Sequence, residues 1–180
     1  MDGRPAPTAA LAPDAAGPRG PAPVVWRLDL GVGPEALAVH RACLSRDELA
    51  RAARFRRAED AARYVAARGA LRRVLGDALG RPPAALAFAV GPYGKPRLAP
   101  PDDRADLAFN VAHCEGVALI ALARGAEIGV DVERIRPGVE VDRLAARLFS
   151  SAERRQLAAL PPEAAYEAFF ALWAAKEAVV

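Results

Sequence analysis

Apolar side chains recur at every second position from Val24 through Trp26 and Leu28 to Leu30. That period predicts a strand with one buried face over residues 24–30. Ser45-Arg46-Asp47-Glu48 comes next, a serine with a glutamate three residues on, and predicts a capped helix running to Phe55. From about Asp60 the period lengthens. Tyr64, Ala67, Leu71 and Val74 share one helical stripe, which Gly80-Arg81-Pro82-Pro83 terminates. Residues 86–90 read as a short strand and Gly91-Pro92-Tyr93-Gly94-Lys95-Pro96 as a turn. Residues 107–113 and 117–123 read as a strand pair about Cys114-Glu115-Gly116, and 127–133 as a further strand. Then the opening pattern returns. Ser150-Ser151-Ala152-Glu153 is a second capping box, Pro161-Pro162 breaks its helix, and a longer helix runs from about Glu163 to the end.

Strand, capped helix, break and long helix thus occur twice. The doubling predicts an α+β fold of two lobes related by a pseudo-twofold axis, each a small antiparallel sheet packed on a long helix. The lobes would cover 24–124 and 125–180, the second ending inside its long helix, before its closing strands. Residues 1–23 are mostly alanine, proline and glycine. They hold too little apolar surface to offset ordering entropy and predict a disordered tail.

Composition sharpens this picture in three ways. Hydrophobic residues make up 53% of the 180 but aromatics only 6%, so the core must come from closely packed helices with few large anchors. No apolar run approaches a membrane span, and the N-terminus lacks a secretory pattern. Two cysteines, Cys43 and Cys114, give no disulfide framework, so a cytoplasmic protein is expected. The net charge is only +3, yet nine arginines crowd residues 46–73. Such a field suits a phosphate-rich ligand or an acidic protein partner, and equally a solvated helix face. A nucleic-acid binder is disfavoured, because acids are interleaved with the arginines and aromatic stacking surface is scarce.

Candidate chemistry concentrates in four places. In Gly129-Val130-Asp131-Val132-Glu133, a strand would bury Val130 and Val132 and put Asp131 and Glu133 on the opposite face. Paired carboxylates suit Mg²⁺, a hard cation that takes oxygen ligands. The competing reading pairs both acids with Arg134 and Arg136. In Trp173-Ala174-Ala175-Lys176-Glu177 the tryptophan and Glu177 share a helical face. That suggests a site, or else an aromatic core anchor beside a surface Lys-Glu pair. Lys95 and Lys176 are the only lysines of an arginine-rich chain, and an ammonium differs from a guanidinium in hydration and geometry. His113 closes a strand where it could meet a phosphate, or serve as a structural histidine. His113 and Cys114 are adjacent, and such neighbours rarely chelate one ion, which argues against a zinc site.

In this order, Asp60-Ala61-Ala62-Arg63, Tyr93-Gly94-Lys95-Pro96, Phe109-Asn110-Val111-Ala112-His113, Ile128-Gly129-Val130-Asp131-Val132-Glu133, Phe149-Ser150 and Trp173-Ala174-Ala175-Lys176-Glu177-Ala178 resemble the Sfp-type 4′-phosphopantetheinyl transferases. The resemblance covers the chain from about Val24 onward. It implies transfer of the phosphopantetheine arm of coenzyme A to a serine of an acyl or peptidyl carrier protein, with release of 3′,5′-ADP. It implies that Asp131, Glu133 and Glu177 hold Mg²⁺, with Lys176 beside the same phosphates and Glu177 as general base. His113 would contact the 3′-phosphate. Lys95, Arg51 and, more weakly, Arg63 would bind the phosphorylated adenosine end, in a cleft between the lobes. Two departures stand out. Ala112 replaces a serine, removing one phosphate-binding hydroxyl. The chain also stops at Val180, where the family continues into a further lysine and closing strands. The alternative is therefore a truncated, non-catalytic fragment that binds coenzyme A or a carrier protein.

Overall fold

The computed structural model describes residues 22–91 and 95–179. The tail expected over 1–23 lies almost wholly outside them, as does the middle of the turn expected at Gly91 to Pro96.

The first half is built on an antiparallel sheet of β1 (Val24–Asp29), β4 (Ala108–Cys114) and β5 (Val117–Ala123), in the order β1-β5-β4. In register, Leu28 faces Ala118, Trp26 faces Ile120, and Val111 and Phe109 face Ile120 and Leu122 from the other side. These side chains form one apolar face, and on it lies α3 (Ala58–Leu79), which contributes Ala66, Ala70, Leu71 and Leu75. Each such fully buried leucine or isoleucine stabilises the fold by roughly 1.5–3 kcal/mol. Gly80, in the left-handed region at φ 64°, ends α3. A two-stranded ribbon of β2 (Phe88–Val90) and β3 (Pro96–Leu98) adds Leu98 to the core.

Two helices brace α3. The helix α1 (Pro34–Ala42) crosses it where Gly69 meets His40; a methyl on Gly69 would lie 2.5 Å from His40 Cβ. The helix α2 (Arg46–Ala52) starts at the predicted capping box, with both reciprocal hydrogen bonds between Ser45 and Glu48 formed. Glu48 then does more than cap. Its Oε2 accepts from Arg72 Nε at 2.6 Å and its Oε1 from Arg68 Nε. Arg72, only 2% exposed, also donates to the carbonyls of Pro83 and Leu86 at 2.9 Å each. Both guanidiniums stack on Phe88, at 4.1 and 5.1 Å from its centroid. Two of the crowded arginines are therefore consumed inside the fold rather than offered to a ligand.

The second half is helical among the described residues: α4 (Val141–Leu148), α5 (Ser151–Ala158) and α6 (Pro162–Glu177). Its core is separate and aromatic, with Phe149, Phe169 and Phe170 buried against Ala145, Tyr166 and Trp173. The second capping box, Ser150 with Glu153, forms as predicted. The strand expected at 127–133 does not form. Residues 127–136 carry no assigned secondary structure, because a strand needs a neighbour for its ladder and none pairs there among the described residues. The α+β class and the antiparallel sheet agree with expectation. None of the described helices is long and apolar enough to cross a membrane.

Candidate active site

The irregular segment 127–136 carries the paired acids, and four contacts fix its course. At its start, Gly129 lies against the end of α6. A methyl there would overlap the Ala178 carbonyl oxygen and sit 2.6 Å from its carbon, so only glycine permits the approach. At its far end, Arg134 Nη1 donates to both oxygens of Glu115 at 2.6 Å, joining the segment to the β4–β5 turn. Beyond it, Tyr166 Oη donates to the Arg136 carbonyl at 2.6 Å and accepts from Val139 N–H at 3.1 Å. Asp131 and Glu133 lie between the first two anchors, both half-buried. Glu177 ends α6 one residue before Ala178, the residue that touches Gly129. Segment and helix end are therefore in van der Waals contact, two residues from Asp131 on one side and one from Glu177 on the other.

The competing pairing of the two acids with Arg134 and Arg136 is not what forms, since Arg134 goes to Glu115. Instead Asp131 Oδ2 is buried without a hydrogen-bond partner. A carboxylate oxygen withdrawn from water and left unpaired costs about 1–3 kcal/mol, and a cation is the chemistry that would relieve it. Among the described residues no three His, Cys, Asp or Glu side chains stand together as a preformed metal cage. Asp131, Glu133 and Glu177 share a neighbourhood rather than a finished coordination sphere. Their donor set, three carboxylates, fits Mg²⁺.

Trp173 is the core anchor of the simpler reading, edge-on to Phe169 at 5.6 Å. Lys176 pairs not with its neighbour Glu177 but with Glu153, Nζ to Oε1 at 3.0 Å, and lies 5.6 Å from the Phe149 ring centroid. Glu177 itself is exposed.

The expected adenosine-binding residues fall into two groups. Lys95 lines a cleft of about 830 Å³ with Arg97, Asn110 and the start of the acidic segment at Glu127 and Ile128. His113, Arg51 and Arg63 are not part of that lining. Arg51 and Arg63 form the other group, around the first turns of α3. Arg51 lies 5.4 Å from the Tyr64 ring centroid, and Arg63 pairs with Asp60 at 3.6 Å. His113 continues the Phe109–Val111 row past the end of the core, where it is exposed. Next to it, Glu115 occupies the left-handed region at φ 52°. The Arg134 hydrogen bond, helped by Arg63 and Arg136, holds its carboxyl below the usual range.

Sequence reading named Glu115 and Arg134 only as a turn and a possible partner, and Glu153 only as a cap. The repeated capping box was the one available signal for Glu153. Nothing local could announce its second partner, 23 residues away.

A carboxylate segment therefore abuts a Trp-x-x-Lys-Glu helix end, beside a cleft whose charged lining is mixed, with Lys95 and Arg97 among Asp102, Asp103, Asp106 and Glu127. Comparison with known proteins identifies the family. Residues 33–124 match the model of the 4′-phosphopantetheinyl transferase N-terminal region, and residues 127–180 that of the 4′-phosphopantetheinyl transferase superfamily. The chain belongs to the 4′-phosphopantetheinyl transferase family. It is similar to 4′-phosphopantetheinyl transferase HetI of Nostoc sp., 39% identical over 154 residues, covering 86% of this chain and 65% of that protein. It is 40% identical over 139 residues to a putative 4′-phosphopantetheinyl transferase of Synechocystis sp., covering 77% and 56% of the two chains. With a Bacillus subtilis 4′-phosphopantetheinyl transferase it shares 33% over 139 residues, 77% and 59% of the two. The chain thus spans less than two thirds of the length of each of these relatives.

Proposed function

We propose that the protein transfers the 4′-phosphopantetheine arm of coenzyme A to a serine hydroxyl of an acyl or peptidyl carrier protein. The serine oxygen bonds to the β-phosphorus, the bond from that phosphorus to the bridging oxygen breaks, and 3′,5′-ADP leaves with it. The serine proton passes to Glu177, which its exposure at the end of α6 leaves accessible. Asp131, Glu133 and Glu177 would hold Mg²⁺, which supplies charge neutralisation to the diphosphate when bound. Lys176 contributes a cation to the same oxygens. Arg51, Arg63, Lys95 and His113 would take the phosphorylated adenosine end, and the free thiols Cys43 and Cys114 suit a reducing cytoplasm.

One observation carries this reading: the unpartnered, buried Asp131 Oδ2 on the segment that touches the end of the Lys176-Glu177 helix. The test is intact mass of an apo carrier protein after incubation with this chain, coenzyme A and Mg²⁺. One added phosphopantetheine, dependent on both, is expected; an unchanged mass refutes transfer by this chain. The share of each relative that the chain spans motivates a second reading, a chain that binds coenzyme A without transfer. Calorimetric binding with no product would mark that outcome.

A further inference from the structure

Glu153 serves two elements at once. Its backbone N–H donates to Ser150 Oγ at 3.3 Å and its Oε2 accepts from Ser150 N–H at 2.6 Å, closing the cap of α5. Its other oxygen takes Lys176 Nζ at 3.0 Å. The same ammonium lies over the ring of Phe149, which is buried at the start of this turn. A lysine on a four-carbon stem ordinarily samples many rotamers. This one is tethered at its tip by an anion that its own cap holds in place.

The ammonium has three N–H donors. Glu153 takes one, and the Lys176 side chain remains 41% exposed, so further donors stay accessible to phosphoryl oxygens. The carboxyl of Glu153 is held below the usual range, first by the Ser150 backbone N–H and then by Lys176. Its charge is therefore in place at neutral pH. The tether also acts on the last turn of α6, where Glu177 follows directly.

We infer that Glu153 is a positioning residue for the proposed transfer: it aims the Lys176 ammonium at the diphosphate of coenzyme A without itself touching substrate. This rests on the transferase reading. Three variants test it, Glu153→Gln, Lys176→Met and the double substitution. Glu153→Gln keeps the length of the side chain and an oxygen that can cap α5, and removes only the charged tether. Calorimetry with coenzyme A and Mg²⁺ should find Glu153→Gln weakened on the order of tenfold, the scale of one charge-assisted hydrogen bond. Lys176→Met should lose about as much, and the double variant no more than Lys176→Met alone. In transfer assays the loss should fall on KM for coenzyme A and not on KM for the carrier protein, with the melting temperature of Glu153→Gln close to that of the parent. The inference is overturned if Glu153→Gln binds like the parent while Lys176→Met does not. It is equally overturned if Lys176→Met has no effect, if the two losses multiply, or if the loss in Glu153→Gln simply tracks a lowered melting temperature. Those outcomes leave the transferase reading standing. A parent chain that binds no coenzyme A sinks that reading, and this inference with it.

Discussion

The buried carboxylate of Glu48 and the half-buried one of Asp131 have opposite fates. Glu48 is saturated: burial alone would raise its carboxyl, but Arg72, the Ser45 N–H and Arg68 outweigh that and hold it below the usual range. A group whose folded pKa is depressed adds stability above its unfolded pKa and loses it as pH falls through the folded value. The contribution of Glu48 is therefore complete above about pH 4.3 and disappears at lower pH. Glu48→Gln should destabilise by about 3–5 kcal/mol near neutrality, because it leaves two arginines enclosed without their counter-charge. Urea titrations from pH 3 to 7 should find the difference between parent and variant shrinking toward acid pH; a constant difference would contradict the assignment. Asp131 is the unsatisfied case. Asp131→Ala removes the orphaned oxygen, so it should melt at or above the parent in the absence of divalent ions. It should lack any Mg²⁺-dependent rise in melting temperature, and transfer should fall by at least about 100-fold. An unfolded Asp131→Ala protein would show the carboxylate to be a support of the fold instead.

Elements succeed or fail through close approaches that sequence patterns encode unevenly. Both capping boxes were legible because a serine and a glutamate three residues on satisfy each other locally. The helix α1 was missed since its Gly33 cap makes no side-chain hydrogen bond, and the same holds for α4 at Glu140. Yet α4 did carry a signal, with Val141, Leu144, Ala145 and Leu148 at helical spacing. The strand at 127–133 was misread for the opposite reason: alternation is present, and a hydrogen-bonding neighbour is not. The candidate acids were identifiable by type and spacing, whereas the glycine that brings them to α6 was not, because its constraint comes from Ala178, 49 residues on. Paired substitutions separate the two close approaches. Gly69→Ala should force α1 from α3 and cost about 1–3 kcal/mol, lowering transfer only as far as unfolding accounts for. Gly129→Ala should displace the acidic segment from Ala178 and reduce transfer well beyond its effect on stability. Chemical denaturation read beside initial rates distinguishes them; equal behaviour would remove Gly129 from the functional argument.

Across the whole molecule, the apolar interior is divided. The first half holds a continuous core of Leu28, Leu71, Leu75, Leu98, Ile120 and their neighbours between sheet and α3. The second holds a smaller aromatic cluster around Phe149, Phe169 and Phe170. What joins them includes the segment 127–136, held by one backbone approach at Gly129, by the Tyr166 hydrogen bond to the Arg136 carbonyl and by an exposed ion pair, Arg134 with Glu115, whose side chains are 62% and 57% exposed. Exposed pairs are screened by salt, while buried apolar contacts are not. Local opening follows the amount of buried surface, so amides of α4, α5 and α6 should exchange with deuterium faster than those of β5 and α3, on the order of tenfold or more. Raising the salt from low ionic strength to about 1 M should quicken exchange across 127–136 and leave β5 unaffected, because the Debye length then falls to about 3 Å. The acids at the candidate site would thereby be on the most easily released part of the chain, and ligand binding should slow exchange there first, since it joins what the ion pair holds only weakly. Hydrogen-exchange mass spectrometry with and without coenzyme A and Mg²⁺ reads all three effects. Uniform protection across both cores, insensitive to salt, would mean that the two halves form one cooperative unit and that the segment is fixed by more than these contacts.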